Sequence, residues 1–139
     1  MLVREAMADT FSTAQISDSV ESVARLMVKE DCGFIPVLDG QRLSGVITDR
    51  DIVTHCVAVG HGDALKTIVG DVMSRNVHGV RPDQTLKEAA HLMAQHRVRR
   101  LPVMEGDRLV GILSHGNLVQ ALHGQGAAIE ATLGVTAGA

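Results

Sequence analysis

The sequence has almost no aromatic residues. It contains no tryptophan and no tyrosine, and its only phenylalanines are Phe11 and Phe34. A chain of 139 residues forms one domain or two very small ones, and it can bury roughly two thirds of its unfolded surface. The core must therefore be built from valine, leucine, isoleucine, alanine and methionine.

The sequence also lacks an excess of positive charge and a long apolar run. Its formal net charge of −3 argues against a broad basic surface for nucleic acid or acidic lipid. The apolar runs are too short to cross a bilayer, and Arg4 and Glu5 stand where a signal peptide needs apolar residues. We therefore expect a cytoplasmic protein that binds neither membranes nor nucleic acids.

Cysteine and histidine patterns typical of metal sites are missing as well. Cys32 and Cys56 fit neither a disulfide framework nor a metal-binding spacing. His91 and His96 are a poor match for one helix face, and His55 next to Cys56 points away from it. No nucleophile elbow, phosphate-binding loop or dinucleotide fingerprint occurs. We predict no metal site and no enzyme, and a redox or metal sensor using the two cysteines remains a weaker alternative.

An internal repeat with a period of 66 residues is the strongest pattern present. Residues 3–53 align without a gap on residues 69–119, which indicates a duplication. The first repeat is assigned to residues 1–62, the second to 63–124, and a Gly- and Ala-rich tail to 125–139. Identical pairs include Val3 with Val69, Met7 with Met73, Met27 with Met93, Pro36 with Pro102, and Gly45 with Gly111.

Each repeat predicts the element order β-α-β-β-α, after a short helical segment around Met7 or Met73. The first helices carry apolar residues on one face, with Ser19 and Thr85 as N-caps and Glu88 completing a capping box. Turns containing Gly40 and Gly106 predict hairpins. The predicted strands are Phe11–Ala14, Phe34–Leu38, Leu43–Ile47, Val77–Val80, Arg100–Met104 and Leu109–Leu113. The final helices are predicted from Thr48 to near Gly60 and from Ser114 to near Gly124, with a linker at Gly60–Lys66.

Two nine-residue stretches at the start of the final helices carry the candidate chemistry. They read GVITDRDIV at 45–53 and GILSHGNLV at 111–119. The first turn of a helix has free N–H groups that suit a phosphate, and a carboxylate one turn later can accept from the vicinal hydroxyls of a ribose. Thr48 and Asp51 therefore predict a ribose-phosphate site. An ordinary N-cap with an acidic third residue explains the same pair, and both interpretations stay open.

The two stretches IPVLDGQRLSGVITDRDIV and LPVMEGDRLVGILSHGNLV, with the upstream Met-Ser or Met-Ala turn and the Leu-Met helix, resemble a tandem pair of cystathionine-β-synthase (CBS) domains. The resemblance covers residues 2 to about 123. It implies an α/β (α+β) fold in which two repeats pack about a pseudo-twofold axis into a disc. It also implies clefts that bind adenosine compounds.

The resemblance assigns roles to individual residues. The hydroxyl of Thr48 would meet phosphate and Asp51 would meet ribose, with Asp49 and Arg50 between them. Ser114 fits the family pattern, but Asn117 departs from it because an amide offers one neutral acceptor oxygen. Replacing the carboxylate should weaken ribose binding by about 1–2 kcal/mol. We therefore predict unequal sites, with the first repeat binding better, although Asn117 could simply cap its helix.

Basic and apolar residues near the hairpins extend the candidate site. Arg97, Arg99 and Arg100 precede the second hairpin, and Arg97 and Arg99 share one face if the segment is a strand. The resemblance implies that such residues reach ligand phosphates, and a solvated strand entry is the alternative. An apolar slot for adenine, more simply explained as core, has these candidates: Phe34, Ile35, Ile16, Val98, Leu101 and Val80.

The resemblance thus implies a stand-alone regulatory module without a required cofactor. It would sense an adenine nucleotide or related adenosyl ligand, namely AMP, ADP, ATP, S-adenosylmethionine or NAD. It would pass occupancy to an effector protein or to a homodimer formed through helical faces. A nucleotide-independent interaction or stress-response module is the alternative function.

Overall fold

The computed structural model describes residues 1–59, 63–64 and 66–123. The chain divides into two compact units, which we call unit I and unit II. Unit I is Ser12–Val77, and unit II combines Met1–Phe11 with the described residues from His78 onward. The compact units therefore differ from the sequence repeats. Residues 1–11, which begin the first repeat, lie in unit II, and residues 67–77, their counterparts at the start of the second repeat, lie in unit I. We call these two stretches the leading segments.

Unit I contains a three-stranded sheet in the order β1 (Ala14–Gln15), β2 (Phe34–Asp39) and β3 (Arg42–Thr48). Strand β1 runs parallel to β2, and β2 and β3 form an antiparallel hairpin closed by Gly40, whose φ is 67°. Its other elements are α2 (Val20–Glu30), α3 (Asp49–Asp51), a π-helix (Ile52–Val57) and a 3₁₀ helix (Val69–Asp71).

Unit II repeats this plan with a two-stranded hairpin. The hairpin closes at Gly106, whose φ is 62°, and its pairing register shifts at the same place as in unit I. The predicted hairpins are therefore confirmed in both units. The elements of unit II are α1 (Val3–Ala6), α4 (Leu86–His96), β4 (Arg100–Glu105), β5 (Arg108–Ser114) and α5 (His115–Leu122).

Both predicted N-caps of the first helices are confirmed. The Ser19 side chain accepts from the Ser22 N–H, and the Thr85 side chain accepts from the Glu88 N–H, each over 3.1 Å. The predicted capping box at Glu88 is wrong, because that carboxylate accepts from the Gln84 side-chain amide at 3.0 Å. Only one half of the reciprocal pattern is therefore made.

The strand predicted at Val77–Val80 is wrong, and the strand predicted at Phe11–Ala14 is displaced, because β1 contains only Ala14 of that range. Unit II has only an isolated parallel bridge there, between Val80 and Val103. In unit I the N–H of Ile16 donates to the Leu38 carbonyl at 3.0 Å and continues the pairing of β1. The repeat places Pro82 at the position of Ile16, and proline has no N–H to donate. The pairing in unit II therefore stops one step earlier.

The helix predicted from Thr48 departs from α geometry after one turn. The Thr54 hydroxyl donates to the Arg50 carbonyl at 2.8 Å, and the Ala58 N–H donates to the Val53 carbonyl five residues back at 2.9 Å. A hydroxyl that bonds the carbonyl four residues back competes with the helix ladder and bends it. In unit II the corresponding residue is Gln120, and α5 stays regular. The expected helix ends at Gly60 and Gly124, part of the linker, and the tail lie outside the described residues.

Each unit has its own aliphatic core, as the composition predicts. The leading segments contribute the same residue types to both: Val69 and Met73 are buried in unit I, and Val3 is buried in unit II with Met7 packed against it. The other core residues of unit I are Ala14, Val20, Val23, Met27, Ile35, Val37, Ile47, Cys56 and Val72. Those of unit II are Val80, Leu86, Ala89, Ala90, Met93, Leu101, Val103, Leu113, Leu118 and Leu122.

Candidate functional site

The leading segment of unit I lies directly against strand β3. The Val46 N–H donates to the Ser74 carbonyl at 2.9 Å, and the Ser74 N–H donates to the Val46 carbonyl at 2.8 Å. Gly45 makes this approach possible, because a Cβ at that position would collide with the Ser74 carbonyl oxygen. The pairing brings the Ser74 side chain to the end of β3, where the candidate site begins.

The first corner, residues Thr48–Asp51, is a complete capping box. The Thr48 hydroxyl accepts from the Asp51 N–H at 3.0 Å, and Asp51 Oδ2 accepts from the Thr48 N–H at 2.9 Å. Asp51 is buried, with 6% of its surface exposed. The cap interpretation of this pair is therefore confirmed, and the carboxylate is held in one orientation at the strand end.

The second oxygen of the Asp51 carboxylate also has a partner. The Ser74 hydroxyl donates to Oδ1 at 3.0 Å. His55 Nδ1 lies 3.5 Å from the same oxygen and 3.1 Å from the Val72 carbonyl oxygen. A carbonyl oxygen only accepts, so Nδ1 carries the proton in that contact. Ser74 thus makes the shorter contact to Oδ1.

The second corner, residues Ser114–Asn117, has the same cap and a different environment. The Ser114 hydroxyl accepts from the Asn117 N–H at 3.0 Å, and Asn117 Oδ1 accepts from the Ser114 N–H at 3.1 Å. Here Ala8 pairs with Ile112 through two hydrogen bonds of 2.9 Å, as Ser74 pairs with Val46. Ala8 has no hydroxyl, so the second corner has neither a carboxylate at the position of Asp51 nor a hydroxyl at the position of Ser74.

The residues that flank the two corners differ in charge. The Asp49 N–H donates to the Gly33 carbonyl at 3.0 Å, and the His115 N–H donates to the Arg99 carbonyl at 2.7 Å. The first corner therefore has a glycine and two carboxylates, together with the exposed Arg50, whereas the second has an arginine, a histidine and no carboxylate. Both corners are built on the same backbone contact, and their electrostatics are unlike.

The arginines before the second hairpin are not arranged as predicted. Helix α4 continues to His96, and Arg97 ends it in the left-handed conformation with a φ of 55°. Strand β4 begins only at Arg100, so Arg97 and Arg99 do not share a strand face. The prediction from strand parity is wrong because the helix takes up the first residues of the run. Arg99 still lies at the second corner through its carbonyl.

The apolar candidates fall into two groups. Phe34, Ile16 and Val98 are half-buried. Ile35 is 2% exposed and belongs to the core of unit I. Leu101 and Val80 are core residues of unit II in the same way.

The sequence-based candidates are divided between the units. Unit I carries Ile16, Phe34, Ile35, Thr48, Asp49, Arg50 and Asp51, and unit II carries Arg97, Val98, Arg99, Arg100, Ser114 and Asn117. Ser74 was missed as a site residue. Its signal was present in the repeat, because Ser74 aligns with Ala8 just as Asp51 aligns with Asn117.

Metal ligands, cysteines and apolar helices could mark other kinds of site in the part of the chain that the structure describes. No group of three or more histidine, cysteine, aspartate or glutamate residues there could hold a metal ion. Cys56 is buried, and the half-buried Cys32 donates from its thiol to the Phe34 carbonyl at 3.3 Å. None of the described helices has the length and apolar character that crossing a bilayer requires.

The duplicated strand-helix corner and the two hairpin units place this chain in a known class. It belongs to the CBS domain family, whose model matches residues 3–58 and 69–124. The resemblance drawn from the sequence is therefore confirmed.

Among similar proteins, CBS domain-containing protein YhcV of Bacillus subtilis is 36% identical over 116 residues, covering 84% of this chain and 81% of that protein. Hypoxic response protein 1 of Mycobacterium tuberculosis is 32% identical over 106 residues, covering 76% of this chain and 73% of that protein. A structure of Hypoxic Response Protein I with two coordinated zinc ions has a TM-score of 0.79, with 28% identity and coverage of 88% and 99%.

A structure of CBSX2 in complex with AMP has a TM-score of 0.78 and 29% identity, and covers 89% of this chain and 97% of that chain. These likenesses confirm the predicted class of fold, in which helices and strands are mixed.

Proposed function

We propose that this chain is a regulatory module that binds an adenine nucleotide or a related adenosyl ligand at the first corner. The observation that carries the proposal is the Asp51 carboxylate, fixed at the end of β3 beside the Thr48 hydroxyl. The AMP complex of CBSX2, a similar structure, supports an adenosine compound as the ligand. The role is binding rather than catalysis, and it requires no cofactor.

The chemistry of Asp51 suits a ribose. An ionised carboxylate has about four acceptor positions, and the described contacts of Asp51 occupy one on each oxygen with donors at hydrogen-bond distance. The remaining positions can accept from two vicinal hydroxyls. Hydrogen bonds to an ionised acceptor are roughly twice as strong as neutral ones. Asn117 offers a neutral oxygen, so we propose that the second corner binds such a ligand more weakly.

Isothermal titration of the full chain with AMP, ADP, ATP, NAD and S-adenosylmethionine tests this proposal. We expect one of the five to bind, and Asp51→Ala to reduce its affinity at least tenfold, since charged hydrogen bonds are worth about 1.5–3 kcal/mol each. Asn117→Ala is the matched control and should have a smaller effect. Equal or reversed effects of the two substitutions would contradict the inequality of the sites.

We further propose that arginines contact the ligand phosphates. For a ligand at the first corner the candidate is the exposed Arg50, and for a ligand at the second corner the candidates are Arg97, Arg99 and Arg100 of the same unit. Affinities for adenosine, AMP and ATP measured at two salt concentrations test this role. Phosphate contacts predict affinities that rise with phosphate number and fall with salt. Equal affinities for adenosine and ATP would remove the arginines from the proposed site.

A nucleotide-independent interaction module is the second candidate function. The observation in its favour is the burial of Asp51, which exposes 6% of its surface and has a donor on each oxygen. A buried carboxylate with a donor on each oxygen can have a purely structural role as part of the helix cap. Absence of heat and of any thermal shift with all five ligands, together with no nucleotide released by heating the purified protein, would favour this function.

We propose that the module forms a homodimer through helical faces and acts in the cytoplasm. Three valines on or after the π-helix are well exposed: Val53 by 59%, Val57 by 61% and Val59 by 59%. Val53 and Val57 are four residues apart, so they share a face. Sedimentation of the full chain, compared with a Val53→Glu/Val57→Glu variant, tests the dimer. A monomeric unaltered chain would contradict it.

A further inference from the structure

We propose that Ser74 is a positioning residue that orients the Asp51 carboxylate and thereby sets the preference for ribose over 2′-deoxyribose. This inference rests on the proposed function, because it concerns the same corner of unit I. The two residues are 23 positions apart in sequence and meet through one hydrogen bond of 3.0 Å between the Ser74 hydroxyl and Asp51 Oδ1.

Ser74 is well placed to hold another side chain still. Two backbone hydrogen bonds tie it to Val46 in β3. The residues just before it are part of the core of unit I, with Val72 exposed by 1% and Met73 by 8%. Its hydroxyl is therefore carried by backbone that is anchored on both the sheet side and the core side.

Two donors are needed to fix the plane of a carboxylate. The Thr48 N–H holds Oδ2 at 2.9 Å, and the Ser74 hydroxyl holds Oδ1 at 3.0 Å. With Ser74 removed, the nearest donor to Oδ1 among the described contacts is His55 Nδ1, which is 3.5 Å away and already faces the Val72 carbonyl. A binding group held by neighbouring hydrogen bonds loses less freedom when the ligand arrives.

The two hydroxyls of a ribose are a demanding test of that orientation. Both must donate to acceptor positions that have a fixed spacing, so a carboxylate free to turn loses the second bond first. A 2′-deoxyribose supplies only one of the two hydroxyls and depends less on the carboxylate plane. The ratio of affinities for ribose and deoxyribose ligands therefore reports orientation, whereas a general loss of stability lowers both affinities together.

Unit II supplies an internal comparison for the same inference. Ala8 occupies the position of Ser74, with the same pair of backbone hydrogen bonds to the neighbouring strand, and Asn117 occupies the position of Asp51. The donor and the carboxylate are thus absent together. This is the pattern expected if the hydroxyl acts through the carboxylate.

Titration of the full chain with AMP and with 2′-deoxy-AMP tests the proposal. The variants are Ser74→Ala, Asp51→Asn and the double substitution, with Ser22→Ala as the matched control because its hydroxyl donates to the Ser19 carbonyl at 2.7 Å. We expect the unaltered chain to prefer AMP about tenfold, the value of one charged hydrogen bond. Ser74→Ala should reduce that preference to about twofold, and Ser22→Ala should leave it unchanged.

The remaining outcomes separate the inference from the proposed function. Ser74→Ala should not alter the ratio further in the Asp51→Asn background, because its effect passes through that carboxylate. A ratio unchanged by Ser74→Ala, or tighter AMP binding by that variant, overturns the inference while the proposed function stands. Failure of the unaltered chain to bind either nucleotide overturns the inference, whereas binding of ADP, ATP, NAD or S-adenosylmethionine would still support the proposed function.

Discussion

The corners of unit I and unit II have the same cap, but they differ in the charge of the side chain that completes it. In both, a hydroxyl and a side-chain oxygen exchange hydrogen bonds of 2.9–3.1 Å with the backbone. The first corner adds a buried charge with a side-chain donor, and the second has a neutral amide and an alanine at the corresponding positions. The change from Asp51 to Asn117 therefore cannot be explained by the needs of the cap.

The buried carboxylate and its side-chain donor occur together in unit I, and the corresponding positions of unit II have neither. An ionised oxygen removed from water without a donor costs more than a neutral amide oxygen in the same place. Ser74 provides that donor to Asp51, whereas unit II has Ala8 and Asn117 at the two positions. Duplicated units of this kind reveal such dependence, because one copy serves as the control for the other.

The largest expected difference between the units concerns Gly45 and Gly111, the strand glycines that lie against the leading segments. A Cβ on Gly45 would lie nearest the Ser74 backbone oxygen, whereas a Cβ on Gly111 would lie nearest Met7 Sδ at 2.6 Å, with the Ala8 backbone oxygen farther off at 3.0 Å. Backbone that is paired to the strand resists displacement more than a methionine end that can turn away. We expect Gly45→Ala to lower the free energy of unfolding by about 3 kcal/mol and Gly111→Ala by about 1 kcal/mol.

Urea unfolding of both glycine variants measures this difference. The slopes of the transitions should match that of the unaltered chain, so that the midpoints can be compared. Equal losses in the two variants would show that the Met7 side chain is held as firmly as the backbone beside Gly45.

A smaller effect is expected when the unit I pair is transferred to unit II. Asn117→Asp supplies the carboxylate and Ala8→Ser supplies the donor. Because the two positions correspond to Asp51 and Ser74, the double substitution should be more stable than the sum of the single effects by about 1 kcal/mol. A double-mutant cycle in urea measures this coupling, and additivity of the two substitutions would contradict the pairing.

The smallest expected effect concerns the residues that end α2 and α4. Asp31 and Arg97 both adopt left-handed conformations, with φ of 50° and 55°. Aspartate tolerates this region better than arginine, and glycine tolerates it best. Arg97→Gly should therefore raise the free energy of unfolding by up to about 1 kcal/mol, and Asp31→Gly by less. Thermal unfolding midpoints measure both, and a loss of stability in Arg97→Gly would contradict the prediction.

Local signals predicted most of the elements. Helix caps at Ser19 and Thr85 and glycine turns at Gly40 and Gly106 depend on residues close together in sequence, and all four are present. The strand at Val77–Val80 failed because only Val80 pairs with the hairpin and Pro82, which has no N–H, prevents the pairing from continuing beyond it, a detail that hydrophobic alternation does not register.

Features that depend on distant residues were not predictable in the same way. The contact between Ser74 and Asp51 requires the leading segment of the second repeat to lie against β3, and sequence similarity alone assigns that segment to the other unit. The repeat shows that positions 51 and 74 both differ from their counterparts, whereas the contact between them depends on the packing of the leading segment against β3.

The exchange of leading segments has a consequence for any attempt to cut the chain in half. A fragment that ends before residue 67 loses Val69 and Met73 from its core, but it keeps Val3 and Met7, the identical residues of its own first segment. In a dimer of such halves, the first segment of each copy could pack into the core of the other copy. In the full chain, each repeat supplies its leading segment to the unit built mainly from the other repeat. A single half could complete its core in this way only by associating with a second copy of itself.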